Sequence, residues 1–241
     1  MRAINKMMSG IGGGLAIATL ALTPLAAMAA GPGTATSNLT TVSTGYVSDS
    51  TGNAEAQSNA EFAVAPGPLT LNSVPNIQLG SVGVKSIATG SPVLPLVSGT
   101  TTGGTGYDGN GSDSLNVTDY RGDHAGWSLT VGMGPFTTTG KDTVTSASLA
   151  LDATAGAMDN STTAAPVSLT LPQSTLTSSW VTNPETLWLA DANTGEGSNS
   201  ATLASTTALT IGKEPTVTAG TYTATMYWAL QDAPAATTPA S

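Results

Sequence analysis

His124 is the one histidine of this 241-residue chain, and it stands beside Asp123. A hydrolytic triad needs a nucleophile, a base and an orienting acid that converge from separate segments. Neighbours on a strand point to opposite faces, so Asp123 is badly placed to orient His124. No Gly-x-Ser-x-Gly elbow is present. The carboxylate pairs Asp119 with Asp123, and Glu185 with Asp191, have the residue types of a glycosidase. Such sites also use aromatic sugar platforms, and aromatics are only 5% of residues. One histidine and no cysteine leave too few ligands for a zinc centre. The chemistry points away from an enzyme, and no cofactor is expected.

Two shorter motifs carry weaker signals. Asp108-Gly109-Asn110-Gly111-Ser112 spaces oxygen ligands at alternate positions, and Asp119 falls at the twelfth, as in a calcium loop. The sixth position is Asp113 where glycine is required, and the twelfth should be glutamate, so Asp108, Asn110, Ser112 and Asp119 form only a weak calcium candidate and no metal site is assigned. Arg121-Gly122-Asp123 is an integrin-type tripeptide, read here as a turn with Arg121 paired to Asp119 or Asp123. Leu171-Pro172-Gln173-Ser174-Thr175 lacks the end of a sortase signal and is internal, so covalent wall anchoring is not expected.

The elements around these residues read as strands. Trp127, Leu129 and Val131 alternate on one face of a run that starts at Gly126. Further alternating runs occur at 69–71, 77–79, 115–119, 147–151, 167–171, 187–189 and 207–211. The longest, Thr221 to Leu230, places Tyr222, Ala224, Met226, Trp228 and Leu230 on one side, with threonines and Tyr227 on the other. Between Ser98 and Ser114 lies a long loop with glycines at 99, 103, 104, 106, 109 and 111. No sustained 3.6-residue pattern appears. The expected fold is all-β, an antiparallel β-sandwich with long Gly/Ser/Thr-rich loops and little helix.

The ends read differently. Arg2 and Lys6, an apolar stretch from Ile11 to Leu25 and Ala27-Met28-Ala29 form a signal-peptide pattern over 1–30. Residues 31–53 read as a flexible polar arm, 54–234 as the β domain and 235–241 as a Thr/Pro/Ala tail. Beyond residue 30, four basic residues (Lys85, Arg121, Lys141, Lys213) face fifteen acidic ones, a net of −11. That charge disfavours nucleic acid and anionic lipid surfaces. With no cysteine, no disulfide framework is available. The expected location is secreted, with no membrane span after signal cleavage.

Two of the four tryptophans occur in the same tripeptide shape, Trp127-Ser128-Leu129 and Trp228-Ala229-Leu230. They follow other segments in a characteristic order: Pro66 to Gly80, then Val117-Thr118-Asp119-Tyr120-Arg121-Gly122 before the first, then Ala219-Gly220-Thr221-Tyr222 before the second. This ordered set resembles the WxL domain of Gram-positive bacterial surface proteins over roughly Ala54 to Pro234, although Leu79 stands where the family commonly has an aromatic residue. The resemblance implies a cell-surface protein held non-covalently on peptidoglycan. It also implies partnership with a membrane-anchored WxL-interacting protein and with other WxL proteins.

On that reading the binding residues are Trp127, Leu129, Trp228 and Leu230, with Asp119, Arg121, Tyr222 and Tyr227 in support. The residue pattern alone leaves two roles open for the tryptophans, since a Trp and a Leu two apart on a strand are also ordinary core. A structural or assembly subunit that binds partner proteins through strand edges, with wall retention indirect, is the alternative. An acidic chain is repelled by an anionic wall, so binding is expected to use shape, stacking and hydrogen bonds and to strengthen toward pH 4.

Overall fold

In the computed structural model, residues 34–35, 41–42, 45–46, 48, 54, 56–101 and 103–232 are described. The signal-peptide pattern, much of the polar arm and the 235–241 tail lie outside these residues. The chain divides into two compact units, Met1–Ala63 and Val64–Ser241, a boundary later than Ala54, where the patterned sequence begins.

In the first unit, β1 (Thr34–Ala35) pairs antiparallel with β4 (Ala56–Gln57), and β2 (Thr41–Val42) pairs with β3 (Gly45–Tyr46).

The regular structure of the second unit is nearly all strand. In chain order it holds β5 (Leu69–Ser73), β6 (Ile77–Leu79), the short helix α1 (Val84–Thr89), β7 (Val93–Thr100), β8 (Ser114–Asp119), β9 (Trp127–Met133) and β10 (Ala147–Leu151). Then follow β11 (Ala153–Met158), β12 (Leu169–Pro172), β13 (Leu176–Thr177), β14 (Trp180–Val181), β15 (Glu185–Ala190), β16 (Gly197–Leu203), β17 (Ala208–Ile211) and β18 (Met226–Gln231). The pairings are antiparallel. Three sheets run in the orders β12-β10-β17-β7-β6, β11-β16-β8-β5 and β15-β9-β18, and none closes into a barrel. The β-sandwich class expected from the sequence holds.

Alternation explains the strands. β8 buries Leu115, Val117 and Asp119, and β10 buries Ala147, Leu149 and Leu151, each at the two-residue period of a sheet face. One core joins the three sheets: Leu149 and Leu209 from the first, Val117 and Ala201 from the second, Trp127 and Trp188 from the third.

Three differences from the sequence reading have physical causes. β9 is buried on both faces, since Ser128 and Gly132 are enclosed as fully as Trp127 and Leu129. The last strand starts at Met226, not Thr221. The Gly134 N–H donates to the Thr225 carbonyl, Pro135 has no N–H to give, and pairing resumes only as a Thr137–Thr223 bridge. β7 runs to Thr100 and so takes the start of the expected Gly-rich loop.

Candidate functional site

The two Trp-x-Leu tripeptides lie on adjacent antiparallel strands. β9 is the centre of its sheet and β18 pairs along one side, with Leu230 opposite Leu129 and Trp228 opposite Val131. Opposite chain directions put the two indoles at different ends of the shared ladder. Their surroundings then diverge.

Trp127 is fully enclosed. Its indole N–H donates to the Gly195 carbonyl at 3.0 Å, and its ring meets Trp188 edge-on at 5.3 Å and 77°. Trp188 donates in turn to the Ala164 carbonyl at 2.7 Å. Two glycines make this possible. Gly126 has φ 74°, and a side chain there would strike the Ala190 carbonyl on the neighbouring strand; Gly195 has φ 82°, and a side chain there would strike the Trp127 ring. Leu129 is equally enclosed. Trp127 and Leu129 therefore expose no surface and pack in the core.

Trp228 is only half-buried, and Leu230 likewise. Trp228 lines a cleft of about 990 Å3 formed by 74–84, 101, 103–107, 133–137 and 217–228 over the apolar floor of Leu94, Leu149 and Leu209. Among the described residues no acceptor meets the Trp228 indole N–H. Tyr107, Phe136, Tyr222, Tyr227 and Trp228 all line this cleft, five of the eleven aromatic residues (four Trp, five Tyr, two Phe). Among the described residues no Asp, Glu, Lys or Arg lines it, although the chain carries a net −9. Threonines 101, 105, 137, 218, 221, 223 and 225 supply hydroxyl groups around the aromatic rings. Tyr222 is fixed there by its hydroxyl, which donates to the Thr218 carbonyl at 3.1 Å.

Asp119 and Arg121 stand elsewhere and tie strand ends together. Arg121 donates to both Asp119 carboxylate oxygens (3.0 and 2.7 Å), to the Gly126 carbonyl (2.7 Å) before β9, and to the Asp232 carbonyl (2.7 Å) after β18. Burial opposes ionisation of Asp119, but the hydrogen bonds and charge of Arg121 outweigh it and lower the pKa. Asp123 lies 3.8 Å from the same guanidinium, so the Arg-Gly-Asp arginine is already engaged within the chain.

The weak calcium candidate does not converge. Asp108 accepts from the Asn76 amide and the Asn110 N–H, while Asn110 accepts from Ser112. Asp119 sits at the opposite end of the extended β8, held by Arg121. Among the described residues no group of three His, Cys, Asp or Glu could hold a metal ion. His124 pairs with Glu196 at 2.7 Å, not with Asp123.

One exposed aromatic pair escaped the sequence reading. Trp180, on the β13–β14 hairpin, is 42% exposed and packs edge-on against Tyr227 at 5.1 Å and 73°. A two-residue Ser178-Ser179 turn between short runs was the available signal.

The strand pair with its two Trp-x-Leu tripeptides matches a known sequence model: that of the WxL domain, described as surface cell wall-binding, over residues 47–234. The chain belongs to the WxL family. Membership makes it a cell-wall-binding surface protein of a family that is not a family of enzymes. No curated protein and no solved structure matches the chain. No helix among the described residues is long and apolar enough to cross a membrane. Both tripeptides have the same pattern, yet the fold gives them unlike surroundings: Trp127 is sealed in the core and Trp228 opens on a cleft.

Proposed function

We propose that this WxL protein is secreted and held non-covalently on peptidoglycan, with the glycan lying in the cleft beside Trp228. The observation that carries the reading is that the cleft is uncharged and rich in aromatic rings on a strongly acidic chain that is otherwise poor in them. Sugar rings offer C–H faces to aromatic planes and hydroxyls to polar side chains, and the Thr-rimmed, aromatic walls meet both needs. Opposed charge cannot supply the attraction, so stacking and hydrogen bonding do. Trp228, Tyr222 and Tyr227 make the contact. Trp127, Leu129, Leu230, Asp119 and Arg121 hold the strands that present them. Sedimentation of the purified chain with protein-free peptidoglycan tests this: the wild type co-sediments and Trp228→Ala stays in solution. A wild type that fails to co-sediment removes the reading.

A second reading has its own observation. The outer edge of β18 is unpaired in its sheet among the described residues, which would let a partner strand add there. A membrane-anchored WxL-interacting protein or another WxL protein would be such a partner, with wall retention then indirect. Co-sedimentation that appears only when partner protein is added supports this second reading over the first.

A further inference from the structure

We infer that the corner between Trp180 and Tyr227 is a second sugar subsite, which takes a neutral hexopyranose ring of a wall glycan running on from the cleft. The inference rests on the wall-binding reading above and extends it beyond the cleft. Trp180 does not line the cleft, but Tyr227 and Leu176 do, so the corner adjoins the cleft's end.

The corner is built, not incidental. Trp180 follows a turn whose two residues, Ser178 (φ 51°) and Ser179 (φ 67°), both occupy left-handed backbone without being glycine. Among the described residues they are the only consecutive pair of non-glycines to do so. That conformation is unfavourable for L-residues and persists only where surroundings enforce it. The surroundings are visible. Side chains are missing at Gly132 in β9 and at Gly134 just after it: a Cβ on Gly132 would fall 2.6 Å from Val181 of the hairpin, and one on Gly134 would fall 3.2 Å from the Tyr227 ring and 3.9 Å from Leu176 of the hairpin. Val181 fills that space and is buried, which fixes β14 and leaves its neighbour Trp180 facing outward.

The chemistry suits a neutral sugar. The rings meet edge to face at 73°, so their planes stand nearly perpendicular and form a corner. Residues 173–184 contain no charged side chain; Thr177 lies opposite Trp180 in the hairpin, and Ser178, Ser179 and Thr182 lie within two residues of it in the chain. The Tyr227 hydroxyl has no protein partner among the described residues.

The test uses the full chain, protein-free peptidoglycan and soluble N-acetylglucosamine oligomers of two and six units. The wild type is expected to bind the hexamer more tightly than the dimer. Trp180→Ala is expected to bind the dimer as the wild type does and to lose about tenfold on the hexamer, with Trp180→Tyr restoring much of it. Folding of each variant is checked by circular dichroism. A folded Trp180→Ala that holds hexamer and wall like the wild type overturns the subsite but leaves the wall-binding reading standing. A wild type that binds neither wall nor oligomer overturns both. The wild type also gives a reading that needs no variant: the hexamer should protect tryptophan fluorescence from acrylamide more than the dimer does, and equal protection overturns the subsite.

Discussion

Leu129 and Leu230 are directly opposed across the β9–β18 pairing. The leucines of the two Trp-x-Leu tripeptides thus meet as a cross-strand pair, a contact that stabilises a sheet by side-chain packing. The pairing fixes where each tryptophan goes. Trp127 is carried inward toward Trp188 and Gly195, and Trp228 toward the cleft.

The two tryptophans should respond differently to removal. Trp127→Ala leaves a large cavity and takes one of two donors from the Gly195 carbonyl, which keeps the Asn199 amide, and is expected to cost about 3–5 kcal/mol or to prevent folding. Trp228→Ala removes a half-buried ring and should cost about 1–2 kcal/mol. It should nonetheless lower wall retention about tenfold. Urea unfolding followed by co-sedimentation with peptidoglycan separates the effects; equal stability losses would contradict the division of duties.

Arg121 should act on stability and not on contact. Arg121→Ala strands the buried Asp119 carboxylate and frees the carbonyls of Gly126 and Asp232. A loss of about 2–4 kcal/mol is expected. The double variant with Asp119→Asn should recover part of it, because the orphaned charge is gone. Thermal unfolding of the single and double variants measures both.

Gly126→Ala should be severe for so small a change. The position has φ 74° and a Cβ there would meet the Ala190 carbonyl and the Asp191 backbone. Strain and clash together should cost about 2–4 kcal/mol. Gly109→Ala, also at positive φ (88°) but with open space around it, should cost about 1 kcal/mol. Comparing their melting temperatures isolates the contribution of close packing against β15.

Acid should strengthen binding and weaken the fold over the same range. The pKa of Asp108 is lowered by the Asn76 amide, that of Glu196 by His124, and that of Asp152 by hydroxyls of Ser168 and Thr206. A depressed folded-state pKa gives stability that is full above the unfolded value near 4 and is lost as pH falls through the folded one. Stability should therefore decline from about pH 5 downward. Net negative charge falls over the same acid range, so retention on an anionic wall should rise as pH falls from 8 toward about 4. Co-sedimentation across that range checks the first part, and stronger retention at pH 8 would count against it. Urea midpoints below pH 5 check the second.

Much of the fold was legible because alternation is written into the chain. The runs 77–79 and 147–151 are strands with the bounds the pattern gives, and 115–119 and 126–131 are within a few residues. The strands that were missed are polar or broken. β16, Gly-Ser-Asn-Ser-Ala-Thr-Leu, has little apolar signal, yet it is central in its sheet and buries Asn199, whose amide donates to the Gly195 carbonyl at 2.8 Å. β7 contains Pro95, which still accepts at its carbonyl from Gly80. Such strands form because neighbours on both sides satisfy the backbone, a fact no local pattern carries.

By itself the sequence determined the class, the family signature and the faces. Period-two alternation put Trp127 with Leu129 and Trp228 with Leu230 on shared sides of their strands, and the acidic balance turned attention from charge to stacking. Only the tertiary structure decided which indole is core. Both tripeptides have the same local code, and burial depends on what other strands bring. Trp188 and the bare backbone of Gly195 close over Trp127, whereas the segments around Ile77 and Tyr107 leave a cleft beside Trp228. Trp180 had no motif at all, and its exposure follows from a hairpin seated on Gly132 and Gly134, residues 46 or more positions away in the chain.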